Sequence, residues 1–189
     1  MAFGRRTPVT YVLLLAIAAV YVLQVLRGDA LIAAYANYGP ATLHGQWWRL
    51  VTSMFLHGGL FHLAVNAWAL YQLAGLFESW LGSPALLLVY FISGIAGSLA
   101  SAFVTSEPSV GASGAIFGLL GALIGFLLKH RDRLTPQAKS LMMQLVGWAV
   151  INVVLGFSIK GIDNAAHLGG CAAGLLCGLI MPEPPHPEY

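Results

Sequence analysis

The sequence predicts an all-α membrane protein in which six helices cross the bilayer. Of its 189 residues, 58% are hydrophobic and only 8% are charged, and the mean hydropathy is +0.78. Soluble domains carry about a quarter charged residues, so this chain has too few charges to cover a water-facing surface. Six separate apolar segments each approach the ~20 residues that cross a hydrocarbon core. We expect one membrane domain over residues 1–189, with its core at about 8–181.

The charge and the cysteine content narrow the possible functions. A net charge of +2 without a basic stripe does not predict nucleic-acid binding. Cys171 and Cys177 lie six residues apart in one apolar segment, where they cannot close a structural disulfide within a helix and have no metal-ligand partners nearby. We interpret both as packing residues, and we expect neither a metal nor a cofactor.

The first span is predicted at residues 8–26, with Thr7 as the helix cap and Pro8 in the first turn. Arg5 and Arg6 before an apolar run resemble a signal peptide, but no convincing cleavage site follows and five more apolar segments do. A retained membrane helix is therefore expected. Residues 27–59 are too polar to span but rich in aromatics, including Trp47 and Trp48, which predicts an interfacial first loop.

Five further spans are predicted at residues 60–81, 85–104, 113–128, 140–157 and 165–181. Gly82-Ser83-Pro84 predicts a tight turn, 105–110 a short polar connection and 129–139 a charged one. The fourth span would rise only ~24 Å, which is short for a ~30 Å hydrocarbon core. The Pro-rich tail, 182–189, is predicted to be disordered.

Basic residues beside the spans predict the orientation. One side of the membrane would carry six basic residues, namely Arg5, Arg6, Lys129, Arg131, Arg133 and Lys139. The other side would carry three, namely Arg27, Arg49 and Lys160. Cytoplasmic loops are enriched in such residues, so both termini are expected in the cytoplasm and Ser113 near the outer face. The compact size and the lack of a transit peptide favour a prokaryotic plasma membrane.

Polar groups inside spans are costly in a bilayer, so each is a candidate for function or for hydrogen bonding between helices. We interpret Gln72, Gln144 and Asn152 as interhelical hydrogen-bonding residues and Glu78 as a structural tie at the cytoplasmic interface. His62 and Asn66 are different, because their spacing of four places both on one helix face near the outer end of the second span. Ser113 begins the fourth span and His167 lies just inside the start of the sixth. With alternating topology, we expect all four near the outer leaflet at similar depth.

Glycines favour a close approach of the fourth and sixth spans. They recur on one face of each, at Gly114, Gly118, Gly121 and Gly125 and at Gly170, Gly174 and Gly178, which continue the face of His167. Small faces let membrane helices pack closely. If these two faces meet, Ser113 and His167 come within reach of each other.

This arrangement indicates nucleophilic catalysis. A serine hydroxyl needs a base about 2.6–3.2 Å away, and His167 is the candidate in the later spans. Hydrolysis of an amide also needs oxyanion donors, for which the Ser113 backbone N–H, His62 and the Asn66 amide are candidates. Asp163 lies one turn before His167 and is predicted to cap the sixth helix, so a Ser–His dyad fits better than a triad.

Five sequence features together resemble the rhomboid family of intramembrane serine proteases. They are Trp48-Arg49, His57, His62-x-x-x-Asn66, Gly111-Ala112-Ser113-Gly114 and Ala166-His167-Leu168-Gly169-Gly170-x-x-x-Gly174, and the resemblance covers residues 47–181. It implies a six-helix core with a cavity open to the outer side, Ser113 as nucleophile, His167 as general base, and His62 and Asn66 binding the oxyanion. It also implies membrane-protein substrates cleaved in or near their transmembrane segments, and a lateral gate at the fifth span with Trp148.

One position departs from the family pattern. Many rhomboids have a tyrosine one turn after the nucleophile, where this chain has Phe117. The phenyl ring keeps the packing on His167 and loses the hydroxyl, so we expect weaker positioning of His167 but retained activity. Gly111, Gly114 and Gly170 are expected to support the site.

Two other classes of function stay open. A rhomboid-like protein without catalysis would bind or dislocate membrane proteins, although such relatives usually lose the serine or the histidine and both are present here. A small transporter is disfavoured, since no carboxylate lies near the polar cluster in the sequence and no inverted repeat is visible. No sequence feature specifies the natural substrate or an oligomeric state.

Overall fold

The computed structural model describes residues 7–182, and the regular elements in this range are helices. In chain order they are α1 (Pro8–Arg27), α2 (Asp29–Tyr35), α3 (Gly39–Leu43), α4 (Arg49–Thr52), α5 (Leu60–Leu81), α6 (Ser83–Val104), α7 (Ser113–Lys129), α8 (Pro136–Ser158) and α9 (Asn164–Ile180). Short 3₁₀ turns at Ser53–Phe55 and Arg131–Arg133 follow α4 and α7. The tail predicted to be disordered lies, from residue 183 onward, outside the described residues.

Helix α7 is the centre of an all-α membrane bundle. All residues from Gly114 to Leu127 are buried. Four helices, α1, α5, α6 and α8, are long and apolar enough to cross a membrane, while α7 and α9 are shorter apolar helices of 17 residues. Seventeen residues rise about 26 Å. The predicted fold class is confirmed, and the count of six spans stays a prediction.

Two predicted boundaries were wrong because helices begin earlier than expected. Gly82 alone separates α5 from α6, and Ser83 and Pro84 form the first turn of α6 instead of a tight turn. Helix α8 begins at Pro136 and not at residue 140. There Thr135 Oγ1 accepts a hydrogen bond from Ala138 N at 3.2 Å, and proline suits the first helical position because it has no N–H to satisfy.

The start of α1 is capped by a carboxylate of α5. Thr7 is the N-cap residue, as predicted, but its side chain makes no cap hydrogen bond. Instead, Glu78 Oε1 accepts from Val9 N at 3.0 Å, and Oε2 accepts from Thr10 N at 2.8 Å and Thr10 Oγ1 at 2.7 Å. Ser83 Oγ also donates to Glu78 Oε1, at 2.6 Å. This buried carboxylate joins α1, α5 and α6, which confirms Glu78 as a structural tie.

Helices α7 and α9 pack backbone against backbone. A Cβ added at Gly170, Gly174 or Gly178 would overlap the carbonyl oxygen of Gly114, Gly118 or Ala122, respectively. Added at Gly121 or Gly125, it would overlap the carbonyl oxygen of Cys171 or Leu175. The predicted meeting of the two small faces is therefore confirmed. Cys171 and Cys177 pack against the hydrophobic core, as expected.

Helix α8 is loosely attached to the bundle. Its buried residues, Ala138 and Leu145, both lie in its first half. In the second half, Trp148 lies against Trp68 of α5 with ring centroids 5.4 Å apart. The amides of Gln144 and Asn152 donate to Ser140 Oγ and Trp148 O within α8, so for these two the predicted bonds between helices were wrong.

Candidate active site

The segment between α1 and α5 is a folded scaffold held by Arg49. This buried guanidinium donates from Nη1 to Ala36 O at 2.7 Å, from Nη2 to Ala33 O at 3.0 Å and from Nε to Gln46 Oε1 at 2.6 Å. Three charge-assisted hydrogen bonds compensate for the loss of hydration of the buried cation. Arg49 therefore closes this part of the first loop into a compact unit.

Backbone hydrogen bonds attach this scaffold to the residues that enter α7. Asn37 and Ser109 exchange both backbone hydrogen bonds, at 3.0 and 2.8 Å, and Gly111 N donates to Ser53 O at 2.9 Å. The buried Asn37 also donates from Nδ2 to Ser98 O of α6 at 2.7 Å. These residues are not identifiable from the sequence, because a loop asparagine or serine gives no pattern that identifies its partner.

Ser113 is the first residue of α7, as predicted. Gly111 before it has a φ of +126°, a region that favours glycine, and a Cβ there would lie 2.8 Å from His62 Cε1 and 3.8 Å from Ser113 Oγ. Gly111 therefore lets the His62 ring approach the serine. The first N–H groups of a helix lack partners within it and lie at the positive end of its dipole, which is where Ser113 N stands.

His167 lies on the ring of Phe117. The ring centroids are 4.1 Å apart and the rings are nearly parallel, at 9°. Phe117 is one turn after Ser113, so α7 presents the hydroxyl and the stacking ring on one face. His167 is only 8% exposed, and its Nδ1 is buried without a hydrogen-bond partner among the described residues. Among the described residues, no hydrogen bond joins Ser113 and His167.

Asn66 and His57 flank His62. Asn66 Nδ2 donates to His62 O at 2.9 Å within α5, while its buried Oδ1 has no partner among residues 7–182. The His57 ring meets the His62 ring nearly edge-on, at 5.3 Å. Burial, and secondarily the nearby His62, lower the pKa of His57 to about 4, so it is neutral at physiological pH. Gln24 of α1 exchanges two hydrogen bonds with the His57 backbone, a contact that sequence reasoning missed.

Comparison with known proteins decides the family. The family model described as the Rhomboid domain matches residues 44–184. The chain belongs to the rhomboid family. It is 37% identical over 156 residues to Rhomboid protease GluP of Bacillus subtilis (strain 168), which covers 82% of this chain and 30% of GluP.

Two other relatives show a similar level of identity. Putative rhomboid protease YdcA of the same Bacillus strain is 34% identical over 157 residues, or 81% of this chain and 76% of YdcA. RHOMBOID-like protein 5 of Arabidopsis thaliana is 38% identical over 140 residues, or 72% of this chain and 45% of the relative. This rhomboid therefore spans less than half the length of GluP and of RHOMBOID-like protein 5.

A polar cavity adjoins the serine of this rhomboid on the side of α6. Its lining includes Ser113 together with Ser53, Ser98 and Ser109, and it does not include His62, Asn66 or His167. Ser53 Oγ and Ser98 Oγ lie 3.4 Å apart. The cavity is thus a space beside Ser113 that is lined by hydroxyl groups. Within residues 7–182, no three His, Cys, Asp or Glu side chains are grouped to hold a metal ion.

Proposed function

We propose that this rhomboid is an intramembrane serine endopeptidase that hydrolyses peptide bonds in or near transmembrane segments of other membrane proteins. One observation carries the proposal: the His167 ring stacks on Phe117, one turn after Ser113. This is the N-terminal start of α7, and there His62 lies against Gly111. A hydroxyl and two imidazoles that share one site at a helix start are the parts that acyl transfer needs. The similarity to Rhomboid protease GluP and to Putative rhomboid protease YdcA supports a protease function.

In the proposed reaction, Ser113 Oγ attacks the substrate carbonyl carbon while His167 takes the hydroxyl proton. The oxyanion is stabilised by the Ser113 backbone N–H, with His62 and the Asn66 amide as further donors. His167 then gives its proton to the leaving amine, and water hydrolyses the ester that remains on Ser113. A serine–histidine hydrogen bond that is unmade without substrate is compatible with this role, because catalytic hydrogen bonds tighten in the substrate complex.

The cavity behind Ser113 supplies a place for the hydrolytic water. Its hydroxyls, from Ser53, Ser98 and Ser109, offer the two to four polar partners that a bound water needs. The water that hydrolyses the acyl-enzyme would come from this cavity.

The substrate helix would enter between α5 and α8. Helix α8 is the least buried of the long helices, and the Trp68–Trp148 pair is its ring contact with α5. A peptide bond in a helix is shielded, and its carbonyl is hydrogen-bonded, so substrates with a small residue at the cleavage point and helix-loosening residues are expected. The charges of 129–139 orient both termini to the cytoplasm, in a prokaryotic plasma membrane, with the site toward the outer side.

A serine-directed fluorophosphonate probe and a reporter membrane substrate test this proposal. Wild type should be labelled and should cleave the reporter. Ser113→Ala should lose both activities, and His167→Ala should lose cleavage, because each removes one half of the dyad. Ser158→Ala and His44→Ala are matched controls at exposed positions and should behave as wild type. Labelling that survives Ser113→Ala would exclude Ser113 as the nucleophile, and an unlabelled, inactive wild type would favour the binding or dislocation role.

A further inference from the structure

A side-chain amide joins the second half of α8 to the start of α9. Asn164, the first residue of α9, donates from Nδ2 to Val153 O of α8 at 3.2 Å. The buried residues of α8, Ala138 and Leu145, lie in its first half, so the second half buries little surface of its own. A hydrogen bond between helices therefore contributes a large share of what holds the second half in place.

Gly156 makes room for this amide. A Cβ at Gly156 would overlap Asn164 Oδ1 and would lie 2.8 Å from Asn164 Cγ. Glycine weakens the interior of a helix, and at this position it lets the Asn164 side chain lie directly against the backbone of α8. The contact between α8 and α9 thus depends on a missing side chain on one helix and an amide on the other.

The amide is satisfied on one side only. Asn164 Oδ1 is buried and has no hydrogen-bond partner among the described residues. Leaving an acceptor buried without a partner costs at least as much free energy as one hydrogen bond contributes. The gain at Nδ2 is therefore offset at Oδ1, and outward movement of α8 would let water reach both groups. Two arrangements of similar free energy are what a movable element needs.

We propose that Asn164, Val153 and Gly156 form a latch that opens before a transmembrane substrate reaches Ser113. This inference rests on the proposed function and on substrate entry at α8. Asn164 stands three residues before His167, so the latch lies at the end of the bundle that carries the candidate site. When the amide lets go of Val153 O, the second half of α8 moves outward while the buried residues of its first half keep it in the bundle.

Two substitutions break the latch from opposite sides. Asn164→Ala removes the amide. Gly156→Ala puts a methyl group where the amide lies, so the flexible Asn164 side chain must turn away from Val153 O. Asn152→Ala and Gly147→Ala are the matched controls. The first removes an amide that bonds within α8, and the second adds a methyl group with no heavy atom within 4 Å.

The test measures two rates for the full chain in liposomes, namely cleavage of the transmembrane reporter and labelling of Ser113 by the fluorophosphonate probe. Each latch variant should raise kcat/KM for the reporter about three- to tenfold, which is the equilibrium effect of losing one hydrogen bond from the closed state. The double variant should gain no more than Asn164→Ala, because both changes remove the same contact. Both controls should match wild type.

Labelling by the probe should keep the wild-type rate in both latch variants. A substrate helix is about 10 Å across and needs α8 to move, whereas the small probe needs much less space. A residue that merely positioned the start of α9 would displace His167 and would change labelling and cleavage together. The comparison of the two rates therefore separates a latch from a structural support of the catalytic histidine.

The outcomes also separate this inference from the proposed function. Cleavage that survives Ser113→Ala would overturn both. If cleavage depends on Ser113 but neither latch variant raises kcat/KM for the reporter, this inference is overturned alone. A labelling rate that changes by the same factor as cleavage would overturn it as well, because Asn164 would then act through His167. Should Asn164→Ala fail to fold, Gly156→Ala decides the result.

Discussion

Replacing Gly170 with alanine should push α7 and α9 apart where the candidate site is built. A Cβ at Gly170 would overlap the Gly114 carbonyl oxygen and would lie 2.8 Å from Gly114 C and 3.2 Å from Gly114 Cα. All three are backbone atoms, so no side-chain rotation can relieve the overlap. The contact with Gly114 C is about 0.6 Å shorter than an ordinary van der Waals contact. The helices must therefore separate by about that amount or more.

This separation should affect activity more than stability. Overpacking of this kind costs about 1–3 kcal/mol. Alanine is a better helix former than glycine by about 1 kcal/mol, so the net loss in the free energy of unfolding should be about 0–2 kcal/mol. His167 lies one turn before Gly170, and Ser113 adjoins Gly114. A misplacement approaching 1 Å between reacting groups costs about 100-fold in rate, so Gly170→Ala should lose about two orders of magnitude in reporter cleavage.

The assay compares Gly170→Ala with Gly147→Ala on α8. A Cβ at Gly147 would meet no heavy atom within 4 Å, so this variant adds the same methyl group without an overlap. Reporter cleavage in liposomes and unfolding in detergent are measured for both. Gly147→Ala should keep wild-type cleavage and should be as stable as wild type or slightly more so. If Gly170→Ala proves as active and as stable as Gly147→Ala, the contact between α7 and α9 does not set the geometry of Ser113 and His167.

Three further predictions concern single side chains. Gly111→Ala should abolish probe labelling in protein that still folds, because the added Cβ would strain a φ of +126° and meet His62 Cε1 at 2.8 Å; wild-type labelling would contradict this. Phe117→Leu should slow cleavage about two- to tenfold, since an aromatic pair contributes about 0.5–1.5 kcal/mol, whereas Phe117→Tyr should match or exceed wild type. Glu78→Gln should lower the free energy of unfolding by about 2–4 kcal/mol in detergent, because one amide oxygen cannot accept all the hydrogen bonds that the two carboxylate oxygens accept. Unchanged stability would argue against Glu78 as the cap of α1.

Local sequence patterns were sufficient for most of the helices. Helix α5 has the predicted bounds, and α7 begins at the predicted Ser113, because a glycine-rich turn before an apolar run is a local signal. The errors at α6 and α8 are also local. In both cases a proline was read as part of a connection when it stood in the first turn of a helix, where its fixed φ is favourable.

Contacts between distant residues could not be read in this way. Glu78 caps α1 from 68 residues away, and Gln24 holds the His57 backbone from 33 residues away. The partner of a buried polar group depends on which helix ends meet in space. The spacing of residues along one helix does not predict these contacts. The same limit applies to Asp163. Its place before α9 predicts that the side chain caps the helix, and Oδ1 does so by accepting a hydrogen bond from Ala166 N. The sequence does not predict that Oδ2 is buried without a partner among the described residues.

The sequence by itself determined that the protein is an apolar helical bundle, that α7 and α9 carry small faces, and that Ser113 and His167 stand at helix starts. These properties follow from composition and from spacing along one helix, which short-range physics controls. Only the tertiary structure decided that His167 stacks on Phe117, that His62 lies against Gly111, and that the first loop holds Gly111 through Ser53. Each of these depends on how separate helices pack, because a glycine face allows a close approach but does not specify which atoms meet.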